Sequence, residues 1–186
     1  MRERTTTEMA VLGLLAEGER SGYDLAQLAH RTIEAMWAPS RSQIYKVLPR
    51  LVADGLATRR EVEQQGRPDK AIYHVTAAGR DELVDWLARV DDPAGQDGEV
   101  FLLKIFFGRY APPAAALAQL AAYRTLLERR LAGYEELERG LAADEPVHSR
   151  IAILHAVARL RATLTWTEET RLALEQLPAA ARRRRG

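Results

Sequence analysis

Between Pro39 and Val75 the chain concentrates the groups best suited to holding a polyanion. From Ser40 to Arg80 eight basic residues (Arg41, Lys46, Arg50, Arg59, Arg60, Arg67, Lys70, Arg80) stand against four acids (Asp54, Glu61, Glu63, Asp69), whereas Asp91 to Ala181 is mildly acidic. The formal net charge of +1 therefore hides a local positive field, as expected when one face docks on nucleic acid and the rest serves another purpose. On a helical projection Ser42, Lys46, Pro49 and Ala53 share one side, flanked by Tyr45 on one edge and by Gln43 and Arg50 on the other. Such hydroxyl, amide and ammonium groups can hydrogen-bond base edges in a major groove while a neighbouring cationic loop grips phosphate.

The elements that must position these groups are legible in the apolar spacing. Ile44, Val47, Leu48, Leu51 and Val52 recur at i, i+3, i+4, i+7 and i+8, which predicts one buried stripe opposite the polar face. Ser40 caps this helix with Gln43 at the reciprocal position, and Asp54-Gly55 ends it. Pro49 inside it costs about 3 kcal/mol, frees the carbonyl of Tyr45 and predicts a kink. Leu56–Val62 and Ala71–Val75 read as strands joined by a polar loop with Gly66-Arg67-Pro68 at its tip. Upstream, Thr5 to Glu8 opens an apolar helix ending at Gly18, and Ser21 to Asp24 opens a second that Pro39 stops. Thr76 caps a fourth helix running to about Val90, with Leu83, Trp86 and Leu87 inward. A helix-turn-helix followed by a hairpin is the layout of a winged helix, here residues 1–91.

Turn-rich residues 92–98 form a linker. Beyond it the pattern predicts a short apolar helix over Glu99–Tyr110. A long one from Pro112-Pro113 to about Ala142 carries Leu120, Leu127, Tyr134 and Leu141 at seven-residue spacing, and a last one runs from Pro146 to about Leu177. Arg124 and Glu138 interrupt the seam, so a short helix-helix packing surface is expected rather than an extended coiled coil. Residues 99–178 thus form an α-helical dimerisation domain, because their apolar blocks exceed what a few helices can hide alone. Residues 179–186, with Arg182 to Arg185, form a solvated tail. The fold class is mainly α with a small β-hairpin wing. With 47% hydrophobic and 28% charged residues, no cysteine and no long apolar run, the chain reads as a soluble cytoplasmic protein with no membrane partner. His30, His74, His148 and His155 have no metal-ligand spacing, and no phosphate-cradling or nucleophile motif occurs. Neither an enzyme, a cofactor nor a metal is expected.

The stretches SRSQIYKVLPRLVADGL, GRPDKAIYHVTAAGR and FLLKIFFG, in this order, resemble the PadR family of bacterial transcriptional regulators in its larger form with a helical C-terminal domain. The resemblance implies a homodimer, each winged helix binding half of an inverted repeat in double-stranded DNA, usually as a repressor. It places recognition-helix contacts at Arg41, Ser42, Gln43, Tyr45 and Lys46, wing contacts at Arg67 and Lys70, and Tyr73 on the wing strand near the DNA backbone. Some members respond to phenolic or drug-like small-molecule effectors; no ligand motif transfers, and the effector is unassigned.

Each of these groups also has a plainer use. Ser40 and Gln43 can simply cap their helix, Tyr45 can cover the edge of the core, and Lys46 and Arg67 can be solvated surface. Trp37, Trp86 and Trp166 fit a core better than a ligand platform. The rival to a DNA-binding regulator is a winged-helix adaptor for other proteins, without an operator of its own.

Overall fold

The computed structural model describes residues 4–34, 36–37, 39–63, 70–90, 98–142 and 146–176. Arg67 and its loop, the linker before residue 98 and the arginine tail lie outside these residues. The elements run α1 (Thr6–Leu15), β1 (Arg20–Ser21), α2 (Gly22–Thr32), α3 (Arg41–Ala53), β2 (Ala57–Val62), β3 (Lys70–Val75), α4 (Ala77–Ala88), α5 (Gly98–Phe107), a 3-10 turn (Gly108–Tyr110), α6 (Pro113–Arg139) and α7 (Val147–Glu175). No described helix is long and apolar enough to cross a membrane. The chain divides into two compact units, one containing α1 to α5 and the 3-10 turn, the other α6 and α7.

In the first unit α1 is buried from Glu8 to Leu15, and α2 and α3 pack around it. Reciprocal capping boxes at Thr5/Glu8, Ser21/Asp24 and Ser40/Gln43 start these helices at the expected residues, each satisfying two backbone N–H groups that would otherwise lack a partner. α2 ends at Thr32 instead of running to Pro39. Ile33, wholly buried, leaves helical geometry at φ −118°, ψ 2°, and Trp37 N–H then donates to its carbonyl at 2.6 Å. Anchoring Ile33 in the core decides the end before the proline can. Through Pro49, α3 remains one element, with that proline on the exposed face where the interrupted hydrogen bond borders solvent.

The sheet has three antiparallel strands in the order β1-β3-β2, with Ala57 opposite Val75 through to Val62 opposite Lys70. β1 pairs Arg20 with Tyr73 and Ser21 with Ile72. Two residues are too few for an alternating pattern, so this strand was not foreseen. It ties the start of α2 to the hairpin, and a second contact reinforces the tie. The Asp24 carboxylate accepts from Ser21 N–H at 3.3 Å and from its hydroxyl at 2.8 Å, while Lys70 Nζ of β3 lies 2.9 Å away. Lys70 first, and then Ser21, hold the Asp24 carboxyl below its ordinary range.

α5 packs in the first unit, although its sequence position groups it with the C-terminal helices. Leu103 and Phe107 are fully buried and Phe101 nearly so. A Cβ on Gly13 of α1 would lie 2.6 Å from the Phe107 ring, so the glycine creates the seat for that ring. Lys104, also buried, donates from Nζ to the carbonyl of Arg89 at 2.6 Å and sits 5.2 Å from the centre of the Trp86 ring. A buried ammonium needs such oxygen and π partners, and here they fasten α5 to the end of α4.

The second unit is a helical hairpin. Arg124–Glu168 at 2.8 Å and Arg161–Glu135 at 2.7 Å fix α6 and α7 as antiparallel neighbours. Leu120 and Leu127 of the seven-residue series are buried, Tyr134 is partly exposed, and Leu141 lies past the end of α6. The seam closes at one end only.

Two outcomes follow from this packing. A fragment of residues 1–111 should melt well above one of residues 1–91, because emptying a single large apolar seat costs about 2–5 kcal/mol and the shorter fragment vacates those of Leu103 and Phe107; equal melting temperatures would remove α5 from the core. Asp24→Ala should destabilise by about 1 kcal/mol, measured by denaturant titration at neutral pH. Because the folded pKa of Asp24 lies below the unfolded one, this contribution is complete above about pH 4 and is lost as pH falls through the folded value. The variant and the parent should therefore converge in acid.

Candidate nucleic-acid interface

The candidate surface is built on α3. Ile44, Leu48 and Leu51 are fully buried and Val47 nearly so, which turns Arg41, Ser42, Gln43, Tyr45, Lys46, Pro49, Arg50 and Ala53 to the exterior. α3 contains no acidic residue, and among the described residues Arg41, Lys46 and Arg50 have no ion-pair partner. A helix face with three cations and no carboxylate presents a positive field to whatever docks on it.

The exposed groups are not equally available. Gln43 is engaged in the cap: its Oε1 accepts from Ser40 N–H at 2.7 Å, while its own N–H donates to Ser40 Oγ at 3.2 Å. Ser42 Oγ lies 3.0 Å from Ser40 Oγ, so this hydroxyl too has a local partner. Tyr45 is half exposed and its ring rests on Gly22, where an added Cβ would come within 2.7 Å of it. The Arg41 guanidinium stands over the Tyr23 ring at 5.4 Å. Among the described residues Lys46 and Arg50 face outward with neither a capping role nor an aromatic support, Lys46 as its position opposite the apolar stripe predicts.

Among the described residues of the hairpin the cations are paired with acids. Lys70 is paired with Asp24, Arg59 with Glu61 at 2.7 Å and Arg60 with Glu19 at 2.6 Å. Arg60 lowers the Glu19 pKa, by hydrogen bond first and by charge second. Tyr73, expected on the wing strand near the DNA backbone, lies on β3 and packs into the core at 8% exposure. On β3 it lies between Arg20 and Arg59 in register, and the alternation of a strand sends its side chain to the packed face.

Tyr23 and Gln27 of α2 were not anticipated as part of this surface. Tyr23 is half exposed and accepts a hydrogen bond from Gln27 Nε2 at 2.9 Å. Their i, i+4 spacing, opposite Leu25 and Leu28, is the signal that could have placed them there. Next to them a cavity of about 350 Å³ is lined by Ala26, Gln27, His30, Glu34, Pro39 and Arg41, with His30 Nδ1 2.7 Å from Glu34 Oε1. Among the described residues no group of His, Asp or Glu could hold a metal ion.

Residues 11–85 match the model of the transcriptional regulator PadR-like family, and residues 99–175 that of the virulence activator alpha C-terminal family. The negative transcriptional regulator PadR of Bacillus subtilis is 32% identical over 145 residues, covering 74% of this chain and 76% of that protein. A probable transcriptional regulator of Mycobacterium tuberculosis, Rv1176c, is 27% identical over 182 residues, covering 90% of this chain and 96% of that one. A solved structure of Bacillus subtilis PadR in complex with operator DNA has 25% identity and a TM-score of 0.49, covering 95% of this chain and 100% of that one. With a match to the family model over residues 11–85 and a relative that is 32% identical and covered over 76% of its length, the chain belongs to the PadR-like family of transcriptional regulators.

Proposed function

We propose that this regulator is a homodimeric repressor that reads an inverted-repeat operator with the outward face of α3. The observation that carries the reading is the acid-free, cation-bearing face of that helix opposite a buried stripe of Ile44, Val47, Leu48 and Leu51. In a helix-turn-helix this is the element whose side chains reach base edges in the major groove. Repression is supported by the kinship with a negative regulator. Lys46 and Arg41 are the principal base or phosphate contacts, with Tyr45 beside them and Ser42 and Gln43 contributing where their capping bonds allow. Arg67 remains a wing contact in this reading, and Lys70 a minor one, since a phosphate must compete for it with Asp24. A protein-interaction adaptor gives no reason for a helix face without a single carboxylate. No effector residue is assigned.

Dimerisation falls to the second unit. Leu137 of α6 and Val147, Ile151 and Leu154 of α7 are 45–59% exposed, and the last three recur at i, i+4 and i+7 to form a stripe at one end of the hairpin. Exposed large apolar side chains in a row favour a second copy over water. Joining two winged helices makes the second half-site encounter intramolecular, which raises affinity by about 10² to 10⁴. The half-sites are then spaced by about one DNA turn or a multiple.

Replacing Lys46 or Tyr45 with alanine should weaken binding to the chain's own promoter region by about 1–3 kcal/mol if the lost group reads a base, with relaxed preference at one position. A lost phosphate contact would instead weaken all sequences alike. Lys70→Ala should change the slope of log affinity against log salt by less than Lys46→Ala does. Unchanged footprints and affinities for both the Lys46 and Tyr45 variants would sink the DNA-reading assignment. Ile151→Asp combined with Leu154→Asp should turn a sedimenting dimer into a monomer and lower operator affinity about 10²-fold or more; a full-length monomer in the parent would overturn the dimer.

A further inference from the structure

The first turn of α2 does more than start a helix. Its consecutive residues Gly22 and Tyr23 each support a side chain of the α3 face: Tyr45 rests on Gly22, and Arg41 stands over Tyr23 at 5.4 Å. Tyr23 is itself held, its hydroxyl accepting from Gln27 one turn further along α2 at 2.9 Å. The ring is the partner that Arg41 has among the described residues, since no carboxylate pairs with it.

The kind of partner matters. A carboxylate would occupy the N–H donors of a guanidinium, whereas an aromatic ring engages its flat face and leaves all five donors available. An arginine held this way keeps its fork for the O6 and N7 acceptors of guanine, the usual arginine contact in a major groove. It also loses less rotamer freedom on docking than one that starts unrestrained. Resting on the DNA-reading function proposed above, we propose that Tyr23 is a positioning residue that presents the Arg41 guanidinium to a base pair. Tyr23 sits outside α3 and reads no base itself.

The test uses the full-length chain and a duplex recovered by in vitro selection against the parent protein. Dissociation constants and selected base preferences are compared for the parent, Tyr23→Phe, Tyr23→Leu, Arg41→Ala and the Tyr23→Leu/Arg41→Ala pair, with thermal melting to confirm that each is folded. Tyr23→Leu should weaken binding about two- to five-fold, the range of an exposed cation–π contact. It should relax preference at the same base pair as Arg41→Ala and add nothing to that variant. Tyr23→Phe, which keeps the ring, should restore most of the affinity. Additive effects, an unchanged preference at the Arg41-dependent pair, or Tyr23→Phe as weak as Tyr23→Leu would each overturn the positioning role. A parent protein that selects no preferred duplex would overturn the DNA-reading function itself, and this inference with it.

Discussion

Burial of one apolar stripe on α3 is the constraint on which the outward chemistry of this chain depends. Ile44, Val47, Leu48 and Leu51 occupy the core formed with α1 and α2, and each large aliphatic side chain withdrawn from water contributes about 1.5–3 kcal/mol. Together they fix the rotation of the helix about its axis. Once that rotation is set, Ser42, Lys46, Pro49 and Ala53 have no direction but outward. A change that loosened the stripe would let the helix roll and blur the surface it presents, with no exposed residue altered.

Electrostatics refine what packing exposes. Several basic residues of the first unit are matched by acids from other elements: Lys70 by Asp24, Arg60 by Glu19 and Arg109 by Glu17 at 3.1 Å. Exposed pairs of this kind stabilise little on their own, but they neutralise cations locally. The cations of α3 are left without such partners among the described residues, so that helix keeps a positive outward face. Arg41 is supported by the Tyr23 ring of α2, which restrains its position without cancelling its charge.

The two units handle apolar surface differently. In the first, α5 closes the core by seating Phe107 on Gly13, and buried Lys104 reaches back to the end of α4. The element immediately after residues 92–97 is thereby part of the winged-helix unit's own packing. In the second, polar pairs such as Arg124–Glu168 register α6 against α7, while apolar residues near the turn stay exposed. A two-helix hairpin has too little interior to cover both faces of each helix, and the remainder is left for a further copy in the proposed dimer.

Helix starts, the α3 stripe and the outward position of Lys46 could be read from the chain because they depend on local rules: a capping side chain reaches three residues ahead, and a helical face repeats within one or two turns. What only the tertiary structure decided depends on partners distant in sequence. The end of α2 was set by the core seat of Ile33 rather than by Pro39. β1 exists because β3, about fifty residues later, supplies its hydrogen bonds. Tyr73 turns inward because the packed face of β3 is defined by the helices beneath it. Lys70 is drawn to Asp24, Arg41 to Tyr23, and α5 to the first unit. Each of these outcomes is chosen by a neighbour that periodicity within a segment does not specify, so the sequence alone determined which residues the α3 face offers, and the assembled fold determined which of them are already occupied.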